Sequence, residues 1–386
     1  MFENNLKLKI IFLLGFLLSL HLAFTSYINS SFISIFSGEK NVSLIYILGS
    51  IISVFILFFV PKIFRKLGEY KFLLWFSGLN AVSLFLLSVL KNSFGIISIF
   101  IFYFTLNSLI VFALDELLQI FSQNSSTGRV RGLYLAIGNL AWIISQAISG
   151  TILSYSSLSF LYFIAFIIMA LFFSIAFLGL KNISDPKYDK ALAWQSFKNF
   201  FANKNLARAY TINFLLQFFY VWMIIYTPIY LYAHLGFSWK EISLIFTIML
   251  IPFVLIQFPL GRYSDKIGER KMLILGFLIA SFATLSLFFI EKHDIWIWAI
   301  LLFSTRIGAA IIEVMSDVYF FKHISKENDE FIAVYRNTAP MAYVFAPLVA
   351  FITFFLTPSF NFIFIILGAI MLFGVYLSST IKRSDI

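Results

Sequence analysis

Twelve stretches of mainly apolar residues recur along the chain, at roughly 9–30, 42–61, 72–90, 95–121, 131–154, 158–180, 207–233, 241–261, 272–290, 295–320, 331–356 and 359–380. A helix needs about 20 such residues to cross the hydrocarbon of a bilayer. The recurrence therefore predicts an all-α integral membrane protein with twelve transmembrane helices. The stretches are continuously apolar and do not alternate, which excludes a membrane β-barrel. Composition agrees: 61% of residues are hydrophobic, 12% are charged, and the mean hydropathy is +0.94. A soluble domain carries about a quarter charged residues. A soluble globular fold, a disordered chain and nucleic-acid binding are all excluded on that ground. The first stretch is too long for a signal peptide, lacks a small-residue cleavage site and leads straight into further spans, so it reads as helix one.

Charge placement sets the orientation. With a cytoplasmic N-terminus, 23 of the 28 Lys and Arg residues fall on inside segments. Only Lys40, Lys91, Lys240 and Lys292 fall outside, and Arg306 lies within a span. Both termini are expected in the cytoplasm, and the chain in the cytoplasmic (inner) membrane as a multi-pass protein. The net charge of +10 is thus a topology signal. The chain has no cysteine, and its four His residues are scattered in sequence, so no metal site and no cofactor are expected.

Connections are short except for a polar segment carrying Lys181, Lys187, Lys190, Lys198 and Lys204, which divides the spans six and six. The predicted organisation is a six-helix bundle over 1–180, a cytoplasmic linker over 181–206 and a second six-helix bundle over 207–386. Within the linker, Trp194, Phe197 and Phe201 form one stripe, with Lys190 and Lys198 off it. That spacing predicts an amphipathic helix on the cytoplasmic face. The halves match each other: PKIFRKLGEYK follows span two and GRYSDKIGERK follows span eight, so Lys66, Gly68, Glu69 and Lys71 coincide with Lys266, Gly268, Glu269 and Lys271. Parallel six-span repeats are an organisation of secondary transporters.

Gly261, Asp265, Gly268, Arg270 and Lys271 resemble the G-x-x-x-D-x-x-G-x-[RK]-[RK] loop of the major facilitator superfamily, and Arg131-Gly132 opening span five resembles its fifth helix. The resemblance implies that family's fold and transport by rocking of two halves around a central site. The first copy of the loop departs from the pattern, with Pro61 in place of the glycine and Arg65 in place of the acid. Any gating role of the acid therefore rests on Asp265.

Ionisable groups within spans are costly, so each is a functional candidate. Arg306, Glu313 and Asp317 on span ten lie within about 20° of one helix face, with Gly308, Ala309 and Ala310 on a neighbouring flank. Span four mirrors them with Ser108, Asp115 and Gln119, and Glu116 beside that face. Arginines follow each acid cluster: Arg129 and Arg131, then Arg336. The arrangement resembles the cytoplasmic Glu–Arg bridges of the sugar-porter branch of the superfamily, which implies that Asp115, Glu116 and Asp317 serve as inner gates. In the superfamily, helices one, four, seven and ten line the cavity. The candidates there are His21 with Thr25 on span one, and the stripe Asn213, Gln217, Tyr220 and Thr227 on span seven, followed by Pro228 where the helix can bend. Asn139, Trp142 and Gln146 on span five read as helix–helix contacts.

No Walker-type loop or Ser/His/Asp constellation is present, so the chain is expected to be neither ATP-driven nor an enzyme. The expected function is alternating-access transport of a small solute of unknown class, coupled to protons through Glu313 or His21, by a monomer in the lipid bilayer. Arg306 would bind an anionic group of the solute or act as electrostatic partner of Glu313. An uncoupled facilitator, a lipid or amphiphile flippase and a multidrug efflux protein are the alternatives.

Overall fold

The computed structural model describes residues 2–57, 59–122, 127–181, 193–256, 268–324 and 330–381, and among these the secondary structure is helical throughout. Among the described residues, eleven helices are long and apolar enough to cross a membrane. The eighth expected span is seen as a 17-residue helix over Trp239–Leu255, and residues 257–267 lie outside the described residues.

The chain divides into two units, Met1–Asp189 and Lys190–Ile386. The first contains α1 (Phe2–Ser37), α2 (Glu39–Leu57), a short α3 (Val60–Leu67), α4 (Glu69–Val89), α5 (Ser93–Ser122), α6 (Thr127–Tyr155) and α7 (Leu158–Gly179). The second contains α8 (Ala193–Ala202), α9 (Lys204–Ile229), α10 (Trp239–Leu255), α11 (Glu269–Leu287), α12 (Ile295–Lys322), a short α13 (Glu330–Arg336), α14 (Thr338–Leu356) and α15 (Phe362–Ser379).

The same packing pattern occurs in both units. In the first, α1 packs on α5, α6 and α7, α4 packs on α5 and α7, and α2 packs on α5. In the second, α9 packs on α12, α14 and α15, α11 packs on α12 and α15, and α10 packs on α12. The sequence match at an offset of 200 is thus a structural one. Gly68 and Gly268 both take positive φ, +76° and +83°, a conformation that costs glycine least. Each turns the chain directly into a helix whose first residue is a buried glutamate, Glu69 or Glu269. A carboxylate there is favoured by the free N–H groups and dipole of the helix N-terminus.

Polar caps set other helix starts. Asp294 accepts from the backbone of Trp296 and Ile297 at 2.9 and 3.1 Å, and Ser238 forms a reciprocal capping box with Glu241. The end of α9 changes its hydrogen-bonding pattern after the proline. Pro228 removes a backbone donor, and the helix passes into a π-helical turn over Tyr230–His234.

The linker helix exists, but its buried face differs from the expected one. Phe197 and Phe201 are both 36% exposed, while Phe200 is fully buried against Phe320 and Phe331. Phe201 touches Tyr210. Helix α8 packs on α9 and α13, so this packing within its own unit sets the seated face. The periodicity of the aromatics does not. The side chain of Trp194 lies outside the described residues.

Candidate functional site

Each unit contains a buried polar cluster, and the two differ in chemistry. In the first unit the cluster contains no carboxylate, lysine or arginine and is closed. His21 is fully buried, with Nδ1 2.8 Å from the Leu18 carbonyl and Nε2 3.2 Å from Asn107 Oδ1. Asn80 donates to the same Asn107 oxygen at 2.8 Å. Thr25 and the Tyr103 hydroxyl are 2.7 Å apart, and Tyr162 donates to Asn29 at 2.7 Å. The bonds join α1 to α4, α5 and α7. Gln146 on α6 donates to the Ala23 carbonyl at 2.8 Å, and Trp142 meets Tyr27 edge-on.

This network ties His21 into the bundle with neither ring nitrogen exposed to water. Interhelical hydrogen bonds of this kind contribute about 0.6 kcal/mol on average and up to about 2 kcal/mol in membrane proteins. Asn107→Ala removes the oxygen shared by His21 and Asn80. It is expected to destabilise the protein by about 1–3 kcal/mol, because two buried side chains lose their hydrogen-bond partner. Thermal unfolding in detergent measures this, and an unchanged midpoint would mean the network contributes nothing to stability.

In the second unit the cluster is charged and open at one point. Arg306 on α12 is 2% exposed. Its guanidinium carbon lies 5.1 Å from the centre of the Phe219 ring and 5.4 Å from that of Tyr220, both on α9. Its Nε and Nη1 are buried without a hydrogen-bond partner. The Tyr220 hydroxyl donates to Glu313 Oε2 at 3.2 Å. Tyr220 thus touches both charged groups. Among the described residues no ion pair joins Arg306 to Glu313, which lie two turns apart, about 10 Å along the axis. The nearby small residues explain how α12 reaches its neighbour. Gly308 meets Gly276 and Ala280 of α11 so closely that an added Cβ would lie 2.5 Å from the Gly276 carbonyl oxygen.

One turn beyond Glu313, Asp317 accepts from the Tyr335 hydroxyl at 3.0 Å, and the Tyr335 ring stacks on Phe320 at 4.0 Å and 6°. The sequence points to Arg336 as the basic residue opening this span. Arg336 is exposed, and its neighbour Tyr335 is the residue that donates to Asp317. Asn213 accepts from Thr338 at 2.5 Å and reaches Ser316 at 3.5 Å, a buried joint of α9, α12 and α14. Gln217 is half-buried. Thr227, of the same stripe, turns away and donates to Met223 sulfur.

Ser108, Asp115 and Glu116 on α5 are half-buried. The side chains of Gln119, Arg129 and Arg131 lie outside the described residues, as do Gly261 and Asp265. Of the loop motif, Gly268 forms its turn, and Arg270 and Lys271 are exposed. The ion pair found there is one the sequence does not signal. Lys322, at the end of α12, lies 2.5 Å from Glu269, and the carboxylate side chain is only 7% exposed. Tyr335 and Lys322 escape sequence reading because a tyrosine or a terminal lysine in such a helix has no distinctive spacing. The only available signal was the offset-200 match at Glu269.

Comparison with known proteins gives a consistent answer. Residues 210–384 match the family model of the Major Facilitator Superfamily. No curated protein matches the chain in sequence. Among solved structures, the nucleoside transporter NupG is 12% identical with a TM-score of 0.77, covering 98% of this chain and all of that one. A POT family transporter in complex with a thioalcohol-conjugated peptide is 14% identical with a TM-score of 0.76, covering 96% of this chain and 94% of that one. A bacterial homologue of the human lysosomal transporter Spinster, inward-facing and unoccupied, is 12% identical with a TM-score of 0.68, covering 98% of this chain and 93% of that one.

Proposed function

We propose that the chain, whose residues 210–384 match the Major Facilitator Superfamily model and whose fold is that of solved transporters, is a proton-coupled secondary transporter of a small solute. It works by alternating access, with twelve spans and both termini in the cytoplasm, as a monomer in the cytoplasmic membrane. Its multi-pass character and its relation to transporters, not enzymes, support the broad reading. The coupling reading rests on one observation: Tyr220 carries the Arg306 guanidinium on its ring and donates its hydroxyl to Glu313.

That contact couples two events. An ionised Glu313 is an acceptor only, and it holds the Tyr220 hydroxyl. A protonated Glu313 is a weaker acceptor with a proton of its own to place, so the hydrogen bond weakens and Tyr220 is freer to move relative to Arg306. Solute at Arg306 and a proton at Glu313 then communicate without direct contact. His21 is the second candidate carrier, but its burial in a closed network supports the structural role more strongly.

The test uses proteoliposomes with an imposed inward proton gradient and an internal pH dye, screened with pooled solutes. Wild type is expected to accumulate at least one solute along with protons. Glu313→Gln is expected to lose accumulation while retaining solute-for-solute exchange, which needs no net proton movement. Accumulation that survives in Glu313→Gln combined with His21→Asn would overturn the coupling assignment. Wild-type flux indifferent to the gradient would make the protein an uncoupled facilitator.

A further inference from the structure

A guanidinium is charged at any relevant pH, and its removal from water costs several kcal/mol even after relaxation. Arg306 is 2% exposed, with two nitrogens unpartnered. The aromatic shelf of Phe219 and Tyr220 offsets only about 0.5–2 kcal/mol of such a cost. Three acids on or beside α12 have partners of their own: Glu313 bonds Tyr220, Asp317 bonds Tyr335 and Glu269 pairs with Lys322. The position therefore holds a desolvated cation with hydrogen-bonding capacity left over.

The charge balance narrows what completes it. One guanidinium stands on this face of α12, with the Glu313 carboxylate two turns along it. The other cation of the helix, Lys322, is already paired. A singly charged anion is balanced here, whereas a dianion such as a phosphate monoester would leave excess negative charge beside Glu313. The guanidinium lies over the Phe219 and Tyr220 rings, and this aromatic surround matches an apolar body next to the anionic group.

From this we infer that the solute is a monocarboxylate with an apolar body, its carboxylate held by Arg306. The inference rests on the transporter reading above.

Four compounds of similar shape test it by thermal shift and titration on the full-length protein in detergent: benzoate, benzamide, benzylamine and phenyl phosphate. Benzoate is expected to stabilise wild type in a concentration-dependent way, phenyl phosphate more weakly, and the amide and amine not at all. Arg306→Met is expected to raise the benzoate Kd by about 30-fold or more, the loss typical of a buried charge pair that loses one member. The inference is overturned if the neutral or cationic compounds bind as well as benzoate, if none of the four binds, or if benzoate binds the variant unchanged. If Arg306→Met does not fold, the order of the four compounds on wild type decides alone. Proton-driven uptake of some other solute alongside failure of this series would leave the transporter reading standing. Benzoate binding with no flux of any solute would keep the site and remove that reading.

Discussion

Arg306→Met protein is expected to be at least as stable as wild type without solute, by about 1–3 kcal/mol, while its transport is lost. A buried charge without a carboxylate partner is a net cost, and replacing buried ionic groups by apolar ones of similar volume is often stabilising by 1–4 kcal/mol. Arg306 fits that description: it is buried, its Nε and Nη1 are unpartnered, and its guanidinium lies against the Phe219 and Tyr220 rings. Methionine keeps length and packing while removing the charge. Function and stability therefore oppose each other at this position, as they do where a site is held ready for a ligand. Arg306→Lys is the informative companion. Lysine keeps the charge but loses the planar group that lies on Phe219 and Tyr220, and a compact ammonium is more strongly hydrated. Its transport is expected to fall by about 10-fold or more, from the cation–π contribution alone. Thermal unfolding and initial uptake rates measure both. A large loss of stability in Arg306→Met would instead make the arginine a structural element of the α9–α12 contact.

The second large effect is expected at Gly308→Ala, with destabilisation of about 3 kcal/mol, the upper end of the usual range for overpacking. The added Cβ would lie 2.5 Å from the Gly276 carbonyl oxygen and 2.6 Å from the Ala280 nitrogen. Both are backbone atoms of α11, so no side chain can rotate away and the helices must part. Gly78→Ala is the control. Its Cβ would meet only the Phe173 ring, at 3.4 Å. There alanine gains about 1 kcal/mol of helix propensity, and the outcome is expected to be neutral or favourable. Because Gly308 lies between Arg306 and Glu313 on α12, the substitution is also expected to reduce transport. Equal midpoints for the two alanine variants would mean that α11 and α12 are not held at this crossing.

Much of the fold was legible because a bilayer demands long apolar helices, and those are visible without any knowledge of packing. The repeat was legible for a similar reason, since a positive-φ glycine followed by a helix-opening glutamate leaves the same letters in both halves. Arg306 was legible because a charge in an apolar run has few explanations. What surrounds such residues was not. Tyr220 as the link between Arg306 and Glu313, and Tyr335 as the partner of Asp317, depend on contacts between helices that carry no fixed sequence spacing. Phe200 shows the same limit on a smaller scale: aromatic spacing alone favoured its neighbours Phe197 and Phe201, and packing on α9 and α13 selected Phe200.

The helix pairings of the first unit close within its own residues, as do those of the second. The α1–α7 contact, the widest of the first set, is complete once Gly179 has left the ribosome. At a synthesis rate of about 5–20 residues per second, the nascent first half has about ten seconds or more to assemble before the second is finished. Errors of assembly then have little opportunity to mix helices from the two repeats. This separation in time suits a chain whose two halves share one packing pattern.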